Sequence, residues 1–408
     1  MTQSTDGRDA TDAEDDEALP DELVDEANED DKLRPEDLQG LVLYSLDWSV
    51  QSILERIGDT FDVNPSFQRR DAWSPSRKSS YIESVILGLP IPQIVLAEDP
   101  ERKGRFIVLD GKQRLVTLKQ FASPNEHFPS FKLRGLQFAD GLEGMTFADM
   151  TSSLMARDYA ENFLAQPIRT VVVRNWGQAA VLYEVFIRLN QNSLPLSPQE
   201  LRQALFPTPF TFWINKKSAE SVLIHQARRA KREDFRMRDA EMLLRFVAWK
   251  EGIATYRGNL RQFLDDACVR GDDNWKRRGP EHYEILGALC EQAIARTFMV
   301  FGDDAFLRFE KGSYNRRFNI AVFDLMSVVL SDDAVTDELI QTHAREIRGA
   351  YEDLCSNDEE FQSSITATTK SIDSVSGRFL TFAGRIEEIL GVNLQLRAGV
   401  EQLANARS

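Results

Sequence analysis

Five consecutive residues, Asp110-Gly111-Lys112-Gln113-Arg114, bring a carboxylate, a glycine, an ammonium, an amide and a guanidinium to one point of the chain. Arginine suits bidentate contacts to phosphate, and lysine adds a compact positive charge. A carboxylate beside them can hold Mg²⁺ through water or orient an attacking water. Gln68, Arg69 and Arg70 form a second polar group just before Trp73. A third group, Arg228, Arg229, Lys231, Arg232, Arg236 and Arg238, is diluted by Glu233 and Asp234. Its charge is of the kind that tracks a nucleic-acid backbone, with Phe235 as a stacking candidate. Each cluster also has a purely structural reading: an Asp–Arg ion pair at the first, a solvated helix face at the third.

The first cluster sits at a predicted corner. Phe106 to Leu109 read as a short buried strand that ends at Asp110-Gly111. Leu115, Val116, Leu118 and Phe121 then recur at helical spacing, so a helix is expected from about Lys112. A helix start leaves backbone N–H groups unpaired, and these together with the helix dipole favour an anion, often phosphate.

Around that corner the pattern alternates. Strands are expected at Leu41–Tyr44, Ile94–Ala97, Phe131–Leu133 and Pro167–Val173. Helices are expected after Val50, after the Ser74-Pro75 start, from Thr146, over Val181–Leu189, and after the Ser197-Pro198-Gln199-Glu200 capping box. Beyond about residue 210 the apolar spacing is helical and predicts no strands. The fold class is therefore α+β: a small mixed sheet with helices, then a mostly α-helical C-terminal region. Three segments follow: an acidic tail over 1–34, a domain over 35–207, and a helical domain over 208–408, with a hinge at Phe206-Pro207-Thr208-Pro209-Phe210.

The net charge of −16 is unevenly placed. Residues 1–40 hold sixteen acidic against three basic residues, so the rest of the chain carries only −3. The acidity belongs to the tail and does not exclude nucleic acid as a partner of the body. Residues 1–34 lack the large apolar side chains that offset ordering entropy, so they read as a disordered solubilising tail or as a partner-binding, DNA-mimicking arm. Cys268, Cys290 and Cys355 are too sparse for a disulfide framework, and His127, His225, His282 and His343 are too scattered for zinc. No apolar run is expected to span a bilayer and no secretory signal is legible, which points to a cytoplasmic protein. Walker, Rossmann and Gly-x-Ser-x-Gly patterns are missing.

Four ordered motifs carry a resemblance. They are Pro65-Ser66-Phe67-Gln68-Arg69-Arg70-Asp71-Ala72-Trp73; Ile82-Glu83-Ser84 running to Gly88-Leu89-Pro90-Ile91-Pro92; Asp110-Gly111-Lys112-Gln113-Arg114-Leu115-Val116-Thr117-Leu118; and Phe186-Ile187-Arg188-Leu189-Asn190 followed by Leu196-Ser197-Pro198-Gln199-Glu200-Leu201-Arg202. Over about residues 40–205 the chain resembles the N-terminal domain family of GmrSD-type restriction systems, a ParB/sulfiredoxin-like fold.

The resemblance implies nucleoside triphosphate binding and Mg²⁺-dependent hydrolysis, coupled to sensing or cutting foreign DNA. Carried over, Asp110, Gln113 and Arg114 would be catalytic, with Asp110 also the metal ligand. Gln68, Arg69, Gly111, Lys112 and Asn190 would bind nucleotide, supported by Arg202. Arg228, Arg229, Lys231 and Arg232 are the DNA-binding candidates. Lys112 stands where the family has Gln, which adds charge for phosphate but removes an acceptor that could orient water. The C-terminal half lacks an HNH motif, so the resemblance implies a separate nuclease or effector subunit. Two alternatives stay open: a module that binds DNA or nucleotide without turnover, and a stand-alone ParB-like nuclease.

Overall fold

The runs Ile94–Ala97 and Phe106–Leu109 are apolar at every position, without the in–out alternation of a half-exposed strand. Such runs belong in the middle of a sheet covered on both faces. The computed structural model places them there; it describes residues 35–62, 73–100, 102–177, 181–182, 184–185, 197–231, 233–234, 236–366 and 369–405. In chain order the first part runs β1 (Val42–Ser49), α1 (Val50–Arg56), β2 (Phe61–Asp62), α2 (Pro75–Ile86), β3 (Ile94–Glu98), β4 (Phe106–Asp110), α3 (Lys112–Ala122), α4 (Phe147–Ser152), α5 (Arg157–Ala165), β5 (Pro167–Arg174) and α6 (Pro198–Leu205). The sheet order is β1-β5-β3-β4-β2. β5 pairs antiparallel with β1 and parallel with β3, while β4 pairs antiparallel with β3 and parallel with β2.

One face of the sheet buries Ile94, Leu96, Phe106, Val108 and Val172 against Ile53 of α1, Ile82 and Val85 of α2, and Leu115 and Leu118 of α3. The other face buries Val95, Ala97, Ile107, Leu109 and Val173 against Leu182 and Leu201. Full burial of a leucine is worth about 1.5–3 kcal/mol, so Leu115 and Leu118 alone anchor α3 firmly. The helix starts follow local chemistry. Ser74, Thr146 and Ser197 each cap a helix by accepting a backbone N–H, and the last two complete reciprocal capping boxes.

Three expectations are corrected. Residues 131–133 form no strand; the backbone of Leu133 instead bonds Gly144 and Met145 across a loop, at 2.9 and 3.0 Å. The helical stretch from Thr146 is two helices, α4 and α5. The C-terminal half is not free of strands. Its helices are α7 (Pro209–Glu220), α8 (Val222–Ala227), α9 (Arg238–Gly252), α10 (Leu260–Arg278), α11 (Pro280–Phe301), α12 (Ile320–Leu330), α13 (Asp337–Asn357), α14 (Glu359–Ser364), α15 (Ile372–Leu390) and α16 (Leu396–Asn405), but β6 (Leu307–Glu310) and β7 (Ser313–Phe318) interrupt them as a hairpin. Lys311 and Gly312 both take positive φ at its tip, the geometry a two-residue hairpin loop requires. The strands are too short, and β7 too polar, to stand out from the surrounding helical pattern.

A further correction concerns hydropathy. The helical run Pro280–Asp304 is long and apolar enough to cross a membrane by length and composition, with a mean hydropathy of 1.3. Tyr283, Cys290 and Ile294 on it lie in the main core of the helical half. A core helix packed on several sides is apolar around most of its circumference, which explains the composition.

α6 joins the two parts. Arg202, fully buried, donates through Nε to Asp265 Oδ1 of α10 at 2.8 Å. Ser197 Oγ donates to the Arg236 carbonyl at 2.5 Å.

Candidate functional site

The corner forms as the spacing predicts. β4 ends on Asp110, Gly111 turns, and α3 begins at Lys112. Gly111 has φ +98°, which side-chain-bearing residues rarely adopt. A Cβ there would lie 2.9 Å from Ile94 Cγ1 and 3.2 Å from Arg114 Nε and Nη2. Backbone conformation and space both call for glycine. Without a side chain Gly111 cannot cap α3, and no side-chain cap is made. A helix start without a side-chain cap favours an anion.

Arg114 turns back toward the strand. Its Nη2 donates to Asp110 Oδ2 at 2.6 Å and to the Gln93 carbonyl at 3.2 Å. Arg114 is buried, whereas the Asp110 side chain is 28% exposed, so the pair opens to solvent on the aspartate side. Arg114 Nε is buried and makes no hydrogen bond. The amide oxygen of Gln113, one residue earlier, is likewise buried and unpartnered.

Lys112 is placed differently from a phosphate-seeking lysine. It is buried, and its Nζ lies 3.7 Å from Glu200 Oε1 on α6. The other oxygen of Glu200 accepts the Ser197 N–H at 2.7 Å within the capping box. The charge that Lys112 adds to the corner is thus balanced by a protein carboxylate.

Tyr81, on α2 beside α3, enters the site without any signal in the local sequence. It is 7% exposed, its ring meets Trp73 edge-on at 5.6 Å, and its hydroxyl has no partner among the described residues. Burial pushes its pKa above the ordinary 10, and the nearby Arg114 charge opposes the shift only in part. The hydroxyl keeps its proton at neutral pH.

Gln68, Arg69 and Asn190 lie outside the described residues, as do Arg232, Phe235 and the acidic tail. Arg202 pairs with Asp265 and makes a 2.8 Å bond to Gln199 Oε1. In the basic cluster, Arg228 and Arg238 both pair with Asp234, at 3.3 and 2.6 Å. Arg229 donates to the Asp303 carbonyl at 2.6 Å, Arg236 is buried, and Lys231 is exposed.

The donor set fits a phosphate ligand: the start of α3 has no side-chain cap, and Arg114 Nε is an unsatisfied donor. It fits Mg²⁺ only as an ion carried in by phosphates. Among the described residues no three metal-ligating side chains cluster, and Asp110, itself paired with Arg114, is the carboxylate at the start of α3. Residues 50–207 match the family model described as GmrSD restriction endonuclease, N-terminal domain. No curated protein and no solved structure matches the chain.

Proposed function

Residues 50–207 are a GmrSD-type N-terminal domain, and from that premise we propose that the chain is the nucleotide-binding, NTP-hydrolysing component of its GmrSD-like restriction system. The observation that supports this most is the uncapped start of α3 behind Gly111, with the unsatisfied Arg114 Nε beside it. The N–H groups of Gln113 and Arg114 bind phosphate oxygens. Arg114 adds charge without leaving its bond to Asp110.

Asp110 is the residue that would hold Mg²⁺, which when bound supplies charge neutralisation to the phosphates. The same carboxylate, paired with Arg114, orients water at the corner. Gln68, Arg69 and Asn190 complete the nucleotide site on this reading. Cleavage of DNA belongs to a separate nuclease or effector subunit, and Arg229 and Lys231 contribute DNA contacts.

Phosphate release from each NTP, with and without duplex DNA, tests the proposal. The wild type should exceed both Asp110→Ala and Arg114→Ala. Equal release by all three overturns hydrolysis. A second reading, binding without turnover, draws on Lys112: its tie to Glu200 fills the place of an amide that would orient water. Nucleotide binding lost in Arg114→Ala, with no release by the wild type, would select it.

A further inference from the structure

Buried polar atoms in folded proteins nearly always find partners, and those that do not call for an explanation. Three such atoms lie on adjoining elements at the candidate site: the Tyr81 hydroxyl on α2, and the Gln113 amide oxygen and Arg114 Nε on the first turn of α3. We propose that Tyr81 is a further ligand-binding residue of this site, and that its ligand carries a hydrogen-bond donor as well as anionic oxygens. The proposal rests on the nucleotide reading above and narrows it to nucleoside triphosphates over inorganic polyphosphate.

The chemistry of the three atoms sets the requirement. Arg114 Nε can only donate, so it needs an acceptor such as a phosphate oxygen. The Gln113 oxygen can only accept, so it needs an N–H or O–H from the ligand. The Tyr81 hydroxyl can do either. A nucleoside triphosphate offers phosphate oxygens for the first and a ribose hydroxyl or base amine for the second. A fully ionised inorganic polyphosphate offers only acceptors.

Packing does not explain the hydroxyl. The Tyr81 ring lies in the core beneath the sheet, edge-on to Trp73. Phenylalanine would fill the same space without burying an unpartnered O–H. A group that costs the free protein stability while lying near the charge of Arg114, whose Nε has no partner, is arranged for something that arrives.

Tyr81→Phe separates the roles. In the free protein the variant should melt at the wild-type temperature or above it, since an unsatisfied buried group is removed. With ATP, GTP, CTP or UTP its affinity should fall about tenfold for the nucleotide that binds best, the effect of one lost hydrogen bond to a charged group. Inorganic tripolyphosphate should bind the wild type more weakly than that nucleotide. Gln113→Met should weaken the nucleotide more than it weakens tripolyphosphate. If the wild type binds nucleotide and Tyr81→Phe binds it equally well, this inference fails while the nucleotide reading stands. A free Tyr81→Phe protein that is markedly less stable makes the hydroxyl structural and also overturns it. A wild type that binds no nucleotide overturns the underlying reading itself.

Discussion

Lys112 Nζ lies 3.7 Å from Glu200 Oε1, and this buried pair connects the first residue of α3 to α6. Through Arg202 the same short helix is paired with Asp265 of the helical half. The β4–α3 corner and the C-terminal helices are therefore joined through charged contacts of one helix. Any ligand that shifts the start of α3 acts on Lys112 first.

Removing one partner of that pair leaves an uncompensated buried charge. Lys112→Met alone should destabilise the protein by about 3–5 kcal/mol in urea unfolding. Pairing it with Glu200→Gln should recover a large part of that loss, with the remainder due to the weakened Ser197 cap. Additive single and double variants would mean that the two groups do not interact.

Gly111→Ala is a test of the corner itself. The positive φ and the 2.9 Å approach to Ile94 both penalise a Cβ. The expected cost is about 1–3 kcal/mol, with loss of nucleotide binding because the first turn must shift. A stable Gly111→Ala protein with normal binding would show that the turn is not needed.

Glu83 is a buried carboxylate that accepts the N–H groups of Gln137, Phe138 and Ala139, at 2.8 to 3.1 Å. Burial alone would raise its pKa, but the bonds from Phe138, Gln137 and Ala139 together outweigh it and hold the pKa below the ordinary 4.5. A depressed carboxylate pKa contributes stability that is present above 4.5 and lost as the pH falls through the lower, folded-state value. Glu83→Gln should cost about 1–3 kcal/mol at neutral pH and flatten the stability profile below pH 4.5. An unchanged acid limb would assign acid unfolding to other groups.

The basic cluster divides by its partners. Arg228 shares Asp234 with Arg238, so Arg228→Ala should lower stability by up to about 1 kcal/mol. Lys231 is exposed, and Lys231→Ala should leave stability unchanged. If duplex DNA binds along this loop, Lys231→Ala lowers the salt slope of binding by about one phosphate contact. An identical slope would remove the loop from the DNA path.

The ordered motifs, the strand–glycine–helix corner and the helix caps were legible because each depends on neighbours within a few residues. Apolar spacing reports which face of an element is buried, and Ser197 with Glu200, or Thr146 with Asp149, closes its own cap locally. The hairpin of β6 and β7 was not legible, since short strands with polar residues carry too little periodicity to separate from helix.

By itself, then, the sequence determined that Asp110 closes a strand and that Gln113 and Arg114 stand at a helix start behind a glycine. Only the tertiary structure decided what surrounds them. It set Lys112 against Glu200, bound Arg114 to the Gln93 carbonyl, and brought the Tyr81 hydroxyl in from another helix. Those relations depend on how α2, α3 and α6 pack against the two faces of one sheet. Packing of that kind is settled by burying apolar surface across the whole domain, and it leaves no mark on the local spacing of the polar residues it brings together.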